Sequence, residues 1–92
     1  MNMGTTAAEA LFLLGRHDEG EALFEQLTKE KYNPEDKIWV YIRWGDCYTK
    51  WMKTGIAYSS KARMLYEKAL EIANNEGDRE TINERIQDLD AH

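Results

Sequence analysis

The chain has 92 residues, a net charge of -5, 42% hydrophobic and 32% charged residues, which suits one folded domain and not a disordered chain. No apolar run reaches the ~20 residues of a membrane span, and the first residues lack a basic stretch followed by an apolar run, so neither a span nor a signal peptide is expected. A single cysteine, Cys47, excludes an internal disulfide framework and a cysteine-based zinc site, and the expected home is the cytoplasm.

In chain order, Thr6 and Glu9 have the spacing of a capping box. Ala7, Ala8, Leu11 and Leu14 then fall on one helical face. Gly15, Arg16 and His17 form a turn, and Asp18 opens a second helix whose buried face is Gly20, Leu23, Phe24 and Leu27. Asn33 suits a helix cap and Pro34 the first helical position, so a third helix runs from Pro34 to about Trp51. Its apolar face is Ile38, Tyr41, Trp44, Gly45, Tyr48 and Trp51 or Met52. A fourth helix starts between Ile56 and Ser60, carries Ala62, Leu65, Tyr66, Ala69, Ile72 and Ala73, and ends before Gly77. Asp78 caps a fifth helix with a thin stripe of Ile82, Ile86 and Leu89, the pattern of a closing helix with one side in water. The fold class is therefore all-α, with about five helices.

The charge is unevenly spread. Residues 1–36 hold eight acids and three bases, residues 37–68 two acids and seven bases, and residues 69–92 seven acids and two bases. Solvated helix faces explain this most simply. A functional alternative is a basic middle that favours an acidic partner, or ends that meet a neighbour's middle in a homo-oligomer.

The two halves repeat. Ala8 and Leu11 map onto Gly45 and Tyr48 at an offset of 37, and Gly20, Phe24 and Leu27 onto Ala62, Tyr66 and Ala69 at an offset of 42. One insertion of five residues near 51–59 reconciles the two. Small residues Ala8 against Gly20, and Gly45 against Ala62, would let paired helices approach at the close end of the ~8–10 Å range. Phe24 and Tyr66 would fill the gap between successive pairs. The run Trp44-Gly45, Tyr48, then Ala62, Tyr66 and Ala69, with a weaker copy in Ala8, Leu11, Gly20, Phe24 and Leu27, resembles the tetratricopeptide repeat (TPR). The resemblance implies right-handed antiparallel hairpins stacked as a short array. A single domain would hold repeat one at about 4–33, repeat two at about 34–76 and a capping helix at about 78–90. Two units and a cap fall short of the ~3 repeats such arrays usually need. An aromatic-rich core, stacking of copies or membership of a longer chain would make up the difference.

In that family the first helix of each pair lines a concave groove that takes peptides. Carried onto this chain, the groove positions are Thr5, Glu9, Phe12 and Leu13 on the first helix. On the third helix they are Trp39, Ile42, Asp46, Thr49 and Lys50, with Arg43 beside them. The partner expected is a protein or peptide, an acidic one if the basic middle is used. Thr5 and Glu9 stand where Lys and Asn would clamp a C-terminal carboxylate, so that clamp is not expected. The runner-up is a homo-oligomeric structural protein whose groove another copy buries. Nucleic acid is disfavoured by the net charge. His17 and His92 lack a third metal ligand, Cys47 lacks a base, the carboxylates follow helix surfaces, and no glycine-rich phosphate loop exists. Neither catalysis nor a cofactor is expected.

Overall fold

The computed structural model describes residues 5–29, 33–51 and 57–90. The described residues form five helices: α1 Thr5–Leu13, α2 His17–Lys29, α3 Pro34–Trp51, α4 Ala57–Ile72 and α5 Glu76–Asp90. There is no strand among the described residues, and the fold is all-α as expected. Each helix packs on the next in chain order, and α1 also packs on α3.

The helix boundaries follow local chemistry. α1 already includes Thr6, so the anticipated capping box does not open it. It closes where Arg16 N–H donates to the Leu11 carbonyl (2.8 Å) and Gly15 N–H to that of Phe12 (3.0 Å). This is the Schellman pattern, with Gly15 in the left-handed region at φ 83°. At α3, Asn33 caps as expected, accepting from the Asp36 N–H at 2.9 Å. The cap of α5 lies three residues earlier than expected. Asn75, not Asp78, accepts the backbone N–H, that of Asp78 at 2.8 Å, and donates back to the Asp78 carboxylate at 2.9 Å. Arg79 then folds over the end of α4, donating to the Leu70 (3.3 Å) and Ala73 (3.1 Å) carbonyls that have no helical partner. α4 begins at Ala57, inside the expected window; Met52 and residues 53–56 lie outside the described residues.

α3 is the central helix. Ile38, Val40, Ile42, Trp44, Cys47 and Tyr48 are all buried, as is the Gly45 backbone between them. A period of 3.6 marks one buried face, but a helix packed by α1 and α2 on one side and α4 on the other has two. This explains why Val40 and Ile42, off the expected apolar face, are fully covered. On α1 the buried pair is Ala8 and Phe12, whereas Ala7 and Leu14 are exposed. The face of that helix is thus turned by one position from the one its spacing suggested.

The two expected glycine crossings turn out differently. A Cβ on Gly20 would lie 3.1 Å from the Ala8 carbonyl oxygen and 2.5 Å from the Phe12 ring, so the Ala8–Gly20 approach is as close as anticipated. At Gly45 the space is taken by the Tyr66 ring, 2.6 Å from such a Cβ. The expected Ala62 is fully buried, but it is the aromatic that lies over the glycine. Phe24 lies parallel to Trp44 at 5.5 Å and 7°, filling the step from α2 to α3.

Candidate functional site

Two carboxylates act as hubs between helices, and only one of them opens onto a cleft of size. The first is Glu21 on α2. It accepts from Trp44 Nε1 at 3.1 Å and from the Tyr48 hydroxyl, both on α3, while Lys61 Nζ of α4 sits 3.7 Å away. Three helices are pinned to one side chain, which is a structural role. The second is Asp46 on α3, 8% exposed. The Tyr66 hydroxyl of α4 donates to its Oδ1 at 2.6 Å, and Arg85 of α5 donates through Nε to Oδ1 (3.0 Å) and through a terminal nitrogen to Oδ2 (3.3 Å).

The groups around Asp46 respond to it. Burial raises the Tyr66 phenol well above its usual range, and its hydrogen bond to Asp46 raises it further. Burial works against the charge on Arg85, but bonding to Asp46 and the attraction of that carboxylate outweigh it, so its pKa is raised. The bidentate geometry keeps the guanidinium flat against the carboxylate. Cys47, next in sequence, is pushed up to about 12, first by burial and then by Glu9 and Asp46. Its thiol is protonated at neutral pH and is no nucleophile.

Beside this cluster lies a cleft of about 540 Å³. One wall is Asp46, Thr49 and Lys50 of α3; the other is Glu84, Arg85 and Asp88 of α5. Tyr58 and Tyr66 of α4 and Leu89 of α5 complete its lining. Thr49 Oγ1 donates to the Asp46 carbonyl at 3.0 Å, and no buried side-chain N or O among the described residues lacks a partner.

The groove positions expected from the sequence divide in four. Asp46, Thr49 and Lys50 line the cleft together. Glu9 and Arg43 face each other across α1 and α3 at 3.9 Å, and the Arg43 guanidinium lies 5.9 Å from the centre of the Trp39 ring, which is 41% exposed. Thr5 is half-buried at the start of α1 and Leu13 is 64% exposed. Phe12 and Ile42 are not groove residues: each is 1% exposed. Phe12 turns toward α2 and α3, with its ring 5.9 Å from Phe24 and 5.5 Å from Tyr48. Asp46 also departs from expectation, since it borders the cleft but is already neutralised by Arg85.

The α5 wall was missing from the sequence reading. Arg85 carried a signal, being a cation set among Ile82, Ile86 and Leu89 on a helix with five acidic residues before Asp90. Glu21 carried none, because nothing in α2 announces the Trp44 and Tyr48 donors that meet it. Among the described residues no three His, Cys, Asp or Glu side chains are grouped to hold a metal, and no helix is long and apolar enough to cross a membrane. Compared with known proteins, the chain matches no family model, no curated protein and no solved structure.

Proposed function

We propose that this chain is a protein-interaction module of TPR-like design that takes a segment of another polypeptide into the cleft between α3 and α5. The observation that carries this reading is the cleft itself, within the ~300–1,000 Å³ range of ligand sites. It is walled by two helices that the Asp46–Arg85 pair joins. A pre-formed cleft loses little ordering entropy on binding. The exposed Trp39, with Arg43 against its ring, extends the same side of α3 with a residue type common in binding hot spots. The buried free thiol of Cys47 suits a reducing, cytoplasmic setting. Asp46, Tyr66 and Arg85 are engaged with one another rather than poised for chemistry, so the reading is binding without catalysis.

The test is selection of peptides from a random display library on the folded protein, followed by amide chemical-shift mapping of the selected sequences. Shifts concentrated at Thr49, Lys50 and Leu89 support the reading. Shifts confined to other surfaces would end it. A second reading, a homo-oligomer, is favoured by Leu13 and Leu14, 64% and 70% exposed at the end of α1. Sedimentation across a hundredfold range of concentration separates the two. A dimer that protects the cleft amides from exchange would replace the first reading with the second.

A further inference from the structure

Which segment the cleft would take depends on the charges left over after its internal bonds are made. Asp46 and Arg85 neutralise each other, and Tyr66 spends its hydroxyl on the same carboxylate. Together these three offer no net charge. What remains is Lys50 on the α3 wall, and Asp88 with Glu84 beside it on the α5 wall. Lys50 and Asp88 are exposed and carry no ion pair among the described residues. The cleft therefore has a positive wall facing a negative one, a narrower requirement than the acidic partner suggested by the basic middle of the sequence.

An extended segment suits two opposed walls, because its side chains alternate between opposite sides with a period of two. In such a segment, neighbouring residues point at different walls.

Resting on the binding reading above, we infer that the cleft recognises an extended peptide carrying an acidic residue and a basic residue at adjacent positions. The acidic one faces Lys50 and the basic one faces Asp88. Both charges on the protein are solvent-exposed, so each contact contributes modestly, about fivefold in affinity at most. The effect lies in selectivity, because a like-charged neighbour is attracted at one wall and repelled at the other.

The experiment uses three capped hexapeptides on one Ser/Leu frame, with Glu-Lys, Glu-Glu or Lys-Lys at the two central positions. They are titrated at low salt into the wild-type protein, Lys50→Glu and Asp88→Lys, with amide shifts and affinity read together. The expected result is that Glu-Lys binds wild type about fivefold more tightly than either like-charged peptide. Lys50→Glu should then prefer Lys-Lys, and Asp88→Lys should prefer Glu-Glu. Equal binding of all three with shifts at Thr49 and Leu89 would overturn the charge rule while leaving the interaction module standing. If no peptide shifts those amides at millimolar concentration, the charge rule and the binding reading both fall. Exposed positions are chosen so that the variants fold, which their unchanged helical circular dichroism verifies.

Discussion

The two hairpins use one packing device in opposite ways. In α1–α2 the glycine is on the second helix, and the ring over it, Phe12, comes from the first. In α3–α4 the glycine is on the first helix, and the ring over it, Tyr66, comes from the second. In both, absence of a Cβ lets an aromatic ring settle against the neighbouring backbone. The rings differ in their ends. Phe12 is hydrocarbon throughout and joins Phe24 and Tyr48 in a dry cluster. Tyr66 ends in a hydroxyl that reaches Asp46 and, through it, Arg85 of α5. The ring over the first glycine thus closes its hairpin by apolar packing alone, whereas the ring over the second also enters a polar network at the edge of the cleft.

The largest expected effect tests the dry hairpin. Phe12→Ala removes a ring that is 1% exposed and should cost about 3–5 kcal/mol, read by urea denaturation. A loss below about 1 kcal/mol would mean that α1 collapses onto α2 without it, and that the ring is not what closes the hairpin.

Next come the two glycines. Alanine is favoured over glycine inside a helix by about 1 kcal/mol, yet both Gly20→Ala and Gly45→Ala should be destabilising. The added Cβ at 2.5–2.6 Å from a buried ring is overpacking, with a typical cost of about 1–3 kcal/mol. Their consequences should diverge. Gly45→Ala displaces Tyr66 and so loosens Asp46 from Arg85, which should speed amide exchange around Ile82 in α5. Gly20→Ala should leave exchange in α5 unchanged. Equal exchange in the two variants would show that α5 is held by its apolar stripe alone.

A third contrast lies in alkali. Cys47, Tyr48 and Tyr66 all belong to the second hairpin, and all three have raised pKa values, with burial as the leading cause. These groups are neutral when protonated. Above the unfolded-chain value the unfolded state releases protons that the folded state retains, so stability falls as pH rises. For Cys47 the contribution is complete below about pH 9 and is lost between 9 and about 12, at about 1.4 kcal/mol per pH unit. Cys47→Ala should flatten the first part of that slope, between pH 9 and 10. An unchanged slope would assign it to the tyrosines.

The helices were legible because their carriers are local. Asn33-Pro34, the small residues and the spaced aromatics are read from short stretches, and among the described residues five helices result, with Gly20 set against Ala8 and a ring over Gly45. The groove was half legible. Asp46, Thr49 and Lys50 follow from one helix's register, but the opposite wall depends on how α5 docks, which no periodicity within α5 encodes. Phe12 and Ile42 were misplaced for a related reason. A helix read alone shows one apolar face, and whether a second is covered depends on neighbours: α2 for Phe12, and the helices flanking α3 for Ile42. The hubs Glu21 and Asp46 lie further still from sequence reading, since each gathers donors 20 or more positions away.

The smallest effect isolates the wire between Tyr66 and Asp46. Tyr66→Phe keeps the ring over Gly45 and deletes one donor. Asp46 still accepts two bonds from Arg85, so no buried carboxylate is orphaned, and the cost should be about 1 kcal/mol by urea denaturation. The paired variant Arg85→Gln separates the two donors. It removes the charge that offsets Asp46, and although Arg85 is a third exposed, leaving a nearly buried carboxylate with one neutral donor should cost more than Tyr66→Phe does. If each variant alone costs little and the double variant costs clearly more than their sum, the hydroxyl and the guanidinium substitute for one another in solvating Asp46. Strict additivity would instead mean that Arg85 holds α5 in place on its own, and that the hydroxyl of Tyr66 serves only to satisfy the phenol.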